Sequence, residues 1–276
     1  MAGGALGGAA SEENGETAAF DTGVAHVARV YNYWLGGSAN FPADRVAAEQ
    51  AMAAYPDLAL SVRANRAFLA RAVRYLAREE GIRQFLDIGT GIPAANNTHE
   101  VAQSVAPGCR VVYADHDPIV AAHARSLLAS APEGATDYLE ADLREPGKII
   151  SAAARTLDFR QPVAVVLMAV LQFIPDGEDP DGIVAELLEA GPSGSYLIVS
   201  HPASDIDPEA MAEMATRLNR LMSQSVALRD HGEVSRFFEG LELAEPGVVR
   251  IPEWRPDSPA EAASPATMWG GVGRQP

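Results

Sequence analysis

Between residues 84 and 200 the chain alternates short apolar runs with amphipathic stretches, and few folds accept that rhythm. Apolar runs of this length bounded by turn signals read as strands buried on both faces, and the helical pattern after each returns the chain for a parallel partner. Strands are predicted near 84–88, 110–115, 136–141, 162–169 and 195–200. Helices are expected over about 95–106, 118–130, 146–156 and 180–190. After "YLIVSH" the rhythm changes, with a long amphipathic helix near 207–225 and a short one near 232–239. The runs "LELAEPGVVRI" and "ATMWGGVGRQP" then read as a hairpin-joined pair at one sheet edge, and the Pro-rich "IPEWRPDSPAEAASP" between them as a loop. The expectation is an α/β fold with a parallel sheet covered on both faces.

At 276 residues and 47% hydrophobic content the chain has material for a large core. A formal net charge of -16 without a local basic patch repels a phosphate backbone, so no nucleic-acid partner is expected. The opening "MAGGALGGAASEENGETAAF" has neither a basic region nor a bulky apolar stretch and reads as a mobile tail rather than a secretory signal. The longest apolar run, "VAVVLMAVL" at 163–171, falls far short of the roughly 20 residues of a membrane span, so no membrane partner is expected. With Cys109 alone there is no intrachain disulfide, and a cytoplasmic location is the simplest expectation. Cys109 itself reads as a small residue at a strand entrance. The histidines show no spacing with a cysteine that would bind metal, so no metal is expected.

Ligands of an open parallel sheet sit at the carboxyl ends of its strands. The first strand runs through Asp87 into Gly89 and Gly91, where a turn and a following helix offer backbone N–H groups to a polar ligand. A pyrophosphate turn wants G-x-G-x-x-G, and here Ile92 and Pro93 follow Gly91. The second strand ends in Asp115, an acid placed for both ribose hydroxyls, and the third in Asp142, placed for an exocyclic amine such as adenine N6. Gln172 stands just beyond the fourth. Together these describe an adenosine ligand without a diphosphate.

D-x-G-x-G at 87–91, the acid at 115, "ADLREP" at 141–146 and "LQFIPD" at 171–176 resemble the successive motifs of class I S-adenosylmethionine-dependent methyltransferases. More narrowly, "ARVYNYWLGGSANFPADR", "DIGTGIPAANNTHEVAQ" and the terminal "GGVGRQP" are similar to an actinobacterial family of S-adenosyl methyltransferases whose substrates are largely unassigned. The resemblance implies a doubly wound, mostly parallel seven-stranded sheet with an antiparallel edge strand. It divides the chain into a tail (1–22), a helical N-terminal extension or lid (23–80) and a Rossmann-like methyltransferase domain (81–276). It implies S-adenosyl-L-methionine as cofactor and S-adenosyl-L-homocysteine as product, while the acidic composition and the aromatics of the lid favour a small organic molecule as substrate. The cofactor-binding set is then Asp87, Gly89, Thr90, Gly91, Asn96, Asp115, His116, Asp142, Leu143, Met168 and Gln172.

Asn96 and Asn97 lie where they could touch the methionine end of that cofactor, while helix capping by Asn or Thr98 is the alternative. Asp117, before Pro118, reads as a cap. Ahead of the first strand, Tyr31 and Trp34 are candidate substrate-binding residues, the alternative being aromatics that glue the segment to the core. Leu58, Val62, Leu69, Val73 and Leu76 form a helical stripe that includes Asn65 and Arg66. Arg66 is a third candidate for substrate, its anionic partner being either the cofactor carboxylate or a structural Asp. Gln172 cannot act as a base at neutral pH and reads as orienting a ligand. Where a general base is needed, Tyr31, Tyr33 and His201 are the candidates. Two other classes share the pattern: a non-catalytic sensor of S-adenosylmethionine and, against the Pro93 turn, an NAD-dependent oxidoreductase.

Overall fold

The computed structural model describes residues 21–127 and 130–276. Three helices lead: α1 (Val27–Trp34), α2 (Pro42–Ala54) and α3 (Leu58–Arg78). The apolar stripe seen in the sequence is the buried face of α3, where Phe68, Leu69, Val73 and Leu76 are all fully enclosed. The expected alternation follows: β1 (Gln84–Ile88), α4 (Thr98–Val105), β2 (Arg110–Asp115), α5 (Pro118–Leu127), β3 (Ala135–Glu140), α6 (Pro146–Ala153), β4 (Ala164–Met168), α7 (Pro180–Glu189) and β5 (Tyr196–Pro202). Then come α8 (Pro208–Leu221), α9 (His231–Arg236), β6 (Glu242–Leu243), β7 (Val249–Arg250), α10 (Pro259–Ala262) and β8 (Met268–Arg274). The expected tail spans residues 1–22, of which 1–20 lie outside the described residues, as do 128 and 129 at the end of the helix expected over 118–130.

The sheet order is β3-β2-β1-β4-β5-β8-β6, with β7 also paired to β8. β1 to β5 are parallel, and β8 runs antiparallel to β5. The reversal of strand order falls between β1 and β4, where such sheets place their ligands. Alternation along each strand feeds two cores. Leu86 and Ile88 pack with Val112 and Leu167 on one face, and Phe85 packs with Val111, Val166 and Ile198 on the other.

Two sequence expectations are corrected. The sheet has eight strands rather than seven, because the run at 241–251 splits into β6 and β7 around Pro246, whose missing N–H cannot join a ladder. These strands and β8 do not form a simple hairpin: a 3-10 turn at Ile251–Glu253 and α10 intervene. The glycines of β8 are explained by close approach, since a Cβ on Gly270 would stand 2.7 Å from Ile251 Cγ2. No helix among the described residues is long and apolar enough to cross a membrane.

Candidate functional site

A glycine turn closes the top of β1. Gly89 and Gly91 take φ of 74° and 64°, a region that favours glycine. A Cβ on Gly89 would lie 2.3 Å from Val170 Cγ2, so the turn needs glycine to pack on the loop after β4. At Gly91 a Cβ would meet nothing within 4 Å, which leaves that side of the turn open. Asp115 at the end of β2 fixes this arrangement. Its Oδ2 accepts from the Gly91 N–H at 2.9 Å and its Oδ1 from the Asp117 N–H at 3.0 Å. Burial raises the Asp115 pKa above the ordinary carboxylate value, and the two N–H bonds oppose that rise. Asp87 accepts from Thr98 Oγ1 at 2.5 Å, and its burial pushes its pKa up to about 6.

The other strand ends converge on the same cavity. Asp142, Leu143, Met168, Gln172, His116 and Thr90 all line it. Asp142 Oδ1 accepts from the Arg144 N–H at 2.9 Å. Gln172 is only 8% exposed, and its Oε1 is buried without a hydrogen-bond partner. Next to Met168, Ala169 holds φ of 50°, a strained value for a residue with a Cβ, at the point where β4 gives way to the cavity wall.

From the N-terminal side α1 presents Tyr31 and Trp34 to the cavity, their rings edge-on with centroids 6.5 Å apart. Asn65 Nδ2 donates to the Tyr31 hydroxyl at 3.1 Å, and burial raises that phenol's pKa. Arg66 also lines the cavity, but beside the glycine turn: one terminal nitrogen donates to the carbonyls of Ala95 and Asn96 at 3.2 and 3.0 Å. Its Nε is buried and has no partner. The cavity is open to solvent at its mouth and has a water-accessible interior of about 170 Å³.

Three sequence candidates are not part of this cavity. His201 is fully buried among protein atoms; its Nδ1 bonds the Pro202 carbonyl at 2.9 Å and its Nε2 accepts from Arg229 at 2.8 Å. Burial pulls its pKa down to about 3, and its one free lone pair is committed to a guanidinium, so it is not placed as a base. Tyr33 points instead to Glu49, donating to Oε1 at 3.0 Å. That bond raises the phenol's pKa. Asn96 is exposed, with φ of 60°, and it is absent from the lining because the loop turns outward there.

The capping alternatives are realised nearby. Asn97 and Glu100 cap α4 reciprocally, and Asp117 Oδ1 accepts from the Ile119 N–H at 2.8 Å at the start of α5. Reading the sequence missed two contributors. One is His26, whose Nδ1 lies 2.8 Å from Asp117 Oδ2 and whose signal was only its place at the start of α1. The other is α8, whose Met211, Met214 and Leu218 line the cavity. Its spacing marks a buried face, but periodicity does not say against what. Among the described residues no group of three His, Cys, Asp or Glu comes close enough to hold a metal.

The parallel sheet with an antiparallel edge, the glycine turn and one acid at each of the first three strand ends define a class I methyltransferase fold. The S-adenosyl methyltransferase family model matches residues 13–276, and the chain belongs to that family. It is an S-adenosylmethionine-dependent methyltransferase, with S-adenosylhomocysteine as the product of its cofactor. Among solved structures, a DUF574 family protein from Streptomyces avermitilis is 46% identical with TM-score 0.90, covering 93% of this chain and 99% of its own. A candidate methyltransferase from Thermobifida fusca YX is 40% identical with TM-score 0.85, covering 92% and 96%. The plantazolicin methyltransferase BpumL, at 11% identity and TM-score 0.52 over 90% of this chain and 96% of that one, shares the fold. Among curated proteins none matches the chain.

Proposed function

We propose that this chain methylates a small organic molecule held between the glycine turn and the helices α1, α3 and α8. The observation that carries this reading is continuity: strand-end acids, open turn and an apolar chamber share one cavity. The residues fit the cofactor, since Gly91 leaves its side of the turn open and Arg66 keeps a buried Nε without a partner. Asp115 takes the ribose hydroxyls with the lone pairs its two N–H bonds leave free, Asp142 takes the adenine edge, and Arg66 takes the amino-acid carboxylate.

When bound, S-adenosylmethionine supplies a methyl group on a sulfonium. The chain's own task is to hold the acceptor in line and exclude water, since displacement at carbon depends mainly on position. Residues 23–80 act as the lid: Tyr31, protonated because burial raises its pKa, orients the acceptor rather than removing its proton. Gln172 orients through its amide.

The test is release of S-adenosylhomocysteine when the protein and S-adenosylmethionine are incubated with an actinobacterial metabolite extract. Wild type should release it, and the Tyr31→Ala, Trp34→Ala double variant should release it at least ten-fold more slowly with nearly unchanged cofactor affinity. Tight cofactor binding with no release in any extract would instead make the chain a sensor.

A further inference from the structure

Five of the seven methionines in the chain stand on this cavity: Met168, Met211, Met214, Met222 and Met268. The remaining two are Met1 and Met52. Charge is distributed the opposite way. Every Asp, Glu, Lys or Arg on the described lining, namely Arg66, Asp87, Asp115, Asp142 and Arg144, stands at the glycine turn or the ends of β1 to β3. Apart from Arg66, which reaches out from α3 to the glycine turn, the wall contributed by α1, α3, α8 and the start of β8 carries none. It grows out of a separate apolar cluster, in which Met211, Met214 and Leu218 of α8 pack with Leu58 and Val30. Thr267 Oγ1 donates to the sulfur of Met211 at 3.1 Å, so this part of the wall is fixed in place.

Two polar side chains on the cavity, Asn65 from that wall and Gln172 from the turn after β4, are of one kind. Asn65 is 2% exposed and Gln172 8%, both line the cavity, and each keeps a buried side-chain carbonyl oxygen without a hydrogen-bond partner. Orphan acceptors in a low-dielectric site call for donors. An unpaired ion placed against the same wall would lose its hydration and gain no counter-charge. Methionine side chains are polarizable, adapt to the shape beside them and make favourable contacts with ring edges. Trp34 and Tyr31 add two ring faces and edges to the same wall.

Resting on the methyltransferase reading above, we infer that the acceptor is an uncharged aromatic molecule that offers an O–H or N–H to Asn65 and Gln172. Transfer breaks the sulfur–methyl bond, and its electron pair stays on sulfur. The acceptor's lone pair forms the new bond to carbon, and the acceptor's proton leaves to water. Methylation therefore removes a donor that the site is built to receive. The product leaves a buried carbonyl unpaired again, so it binds more weakly than the acceptor, which favours its release.

The experiment uses the full chain saturated with S-adenosylhomocysteine and three probes of one ring system: 2-naphthol, its methyl ether and 2-naphthoate, titrated by calorimetry. The neutral naphthol should bind at least ten-fold more tightly than the anionic naphthoate and at least three-fold more tightly than the ether. Asn65→Leu should narrow the gap between naphthol and ether, and Met214→Leu should keep the order of all three. If S-adenosylhomocysteine itself fails to bind wild type, the methyltransferase reading fails, not the acceptor class alone. If it binds and naphthoate equals or exceeds naphthol, or the ether equals naphthol, or no probe binds, the inference is overturned.

Discussion

Asp115 holds the glycine turn through the Gly91 N–H, and in the function proposed above the same carboxylate also takes the ribose of the cofactor. Asp115→Ala should weaken S-adenosylhomocysteine by about 1.5–3 kcal/mol, the scale for hydrogen bonds to a charged group. Calorimetry on the folded variant checks this, and unchanged affinity would remove Asp115 from the cofactor site. Asp87 carries a different expectation. Its pKa is about 6 in the fold against an ordinary carboxylate value, so the folded state binds the proton more tightly than the unfolded state. Stability from this group then falls as pH rises from about 4 to 6 and stays reduced above that. Asp87→Asn should be more stable than wild type at pH 7, by up to about 3 kcal/mol for a shift of about two units, and the gap should close below pH 4. Thermal melts of the two proteins from pH 4 to 8 would show it. Both acids were legible in the sequence because each falls in phase at a strand end. Asn96 and His201 misled for the opposite reason: phase along the chain says nothing about which way a loop turns or what claims a buried lone pair.

Among the elements, β1 to β5 and α4 to α9 were legible because each buries apolar side chains with the period of its own type. α3 and α8 were legible as helices but not as one wall with α1 and α2, which entered only as part of an expected helical extension, since contact between elements far apart in sequence leaves no local period. What ties that wall together is polar and buried. Asp44, with no exposure, accepts from the His26 N–H at 2.9 Å, the Phe41 N–H at 2.7 Å and Arg29 Nε at 3.1 Å, so one carboxylate joins α1 to α2. Asp44→Ala leaves the buried Arg29 without its counter-charge, bonded only to backbone carbonyls such as that of Val24, which should cost about 3–5 kcal/mol in urea unfolding. Where the variant still folds, α1 loosens over the cavity, and S-adenosylhomocysteine should dissociate faster in stopped-flow. Arg229 is the matching clamp on the far side. It donates to the carbonyls of Leu171 at 3.0 Å and Ile174 at 2.9 Å and to Asp176 Oδ1 at 2.7 Å, holding the turn that carries Gln172. Arg229→Met should therefore destabilise by about 3 kcal/mol or more and weaken cofactor binding as well, although Arg229 is not on the cavity lining. Loss of stability with unchanged affinity would show that the turn keeps its shape without the clamp.

At the scale of the whole molecule, the sheet forms the floor of the cavity and the helices α1, α3 and α8 its roof; α3 packs broadly on the sheet, whereas α1 and α8 meet the floor at few points. His26 meets Asp117, and Gln224, beyond α8, reaches His116 with 3.0 Å between side-chain nitrogens. A ligand buried between floor and roof adds contacts to both. Binding should then raise the stability of the whole and suppress opening of the roof, two effects with separate readouts. At about 100 times Kd, S-adenosylhomocysteine should add about 2.7 kcal/mol, which at about 2–4 °C per kcal/mol for a domain of this size raises Tm by about 5–11 °C. Hydrogen exchange on the same samples should slow at the amides of Val27–Trp34 and Pro208–Leu221 more than in β4 or β5, because central strands open only with global unfolding while surface helices open locally. A thermal shift with exchange in α1 and α8 unchanged would mean that the cofactor engages the floor alone, and that the roof serves only the acceptor.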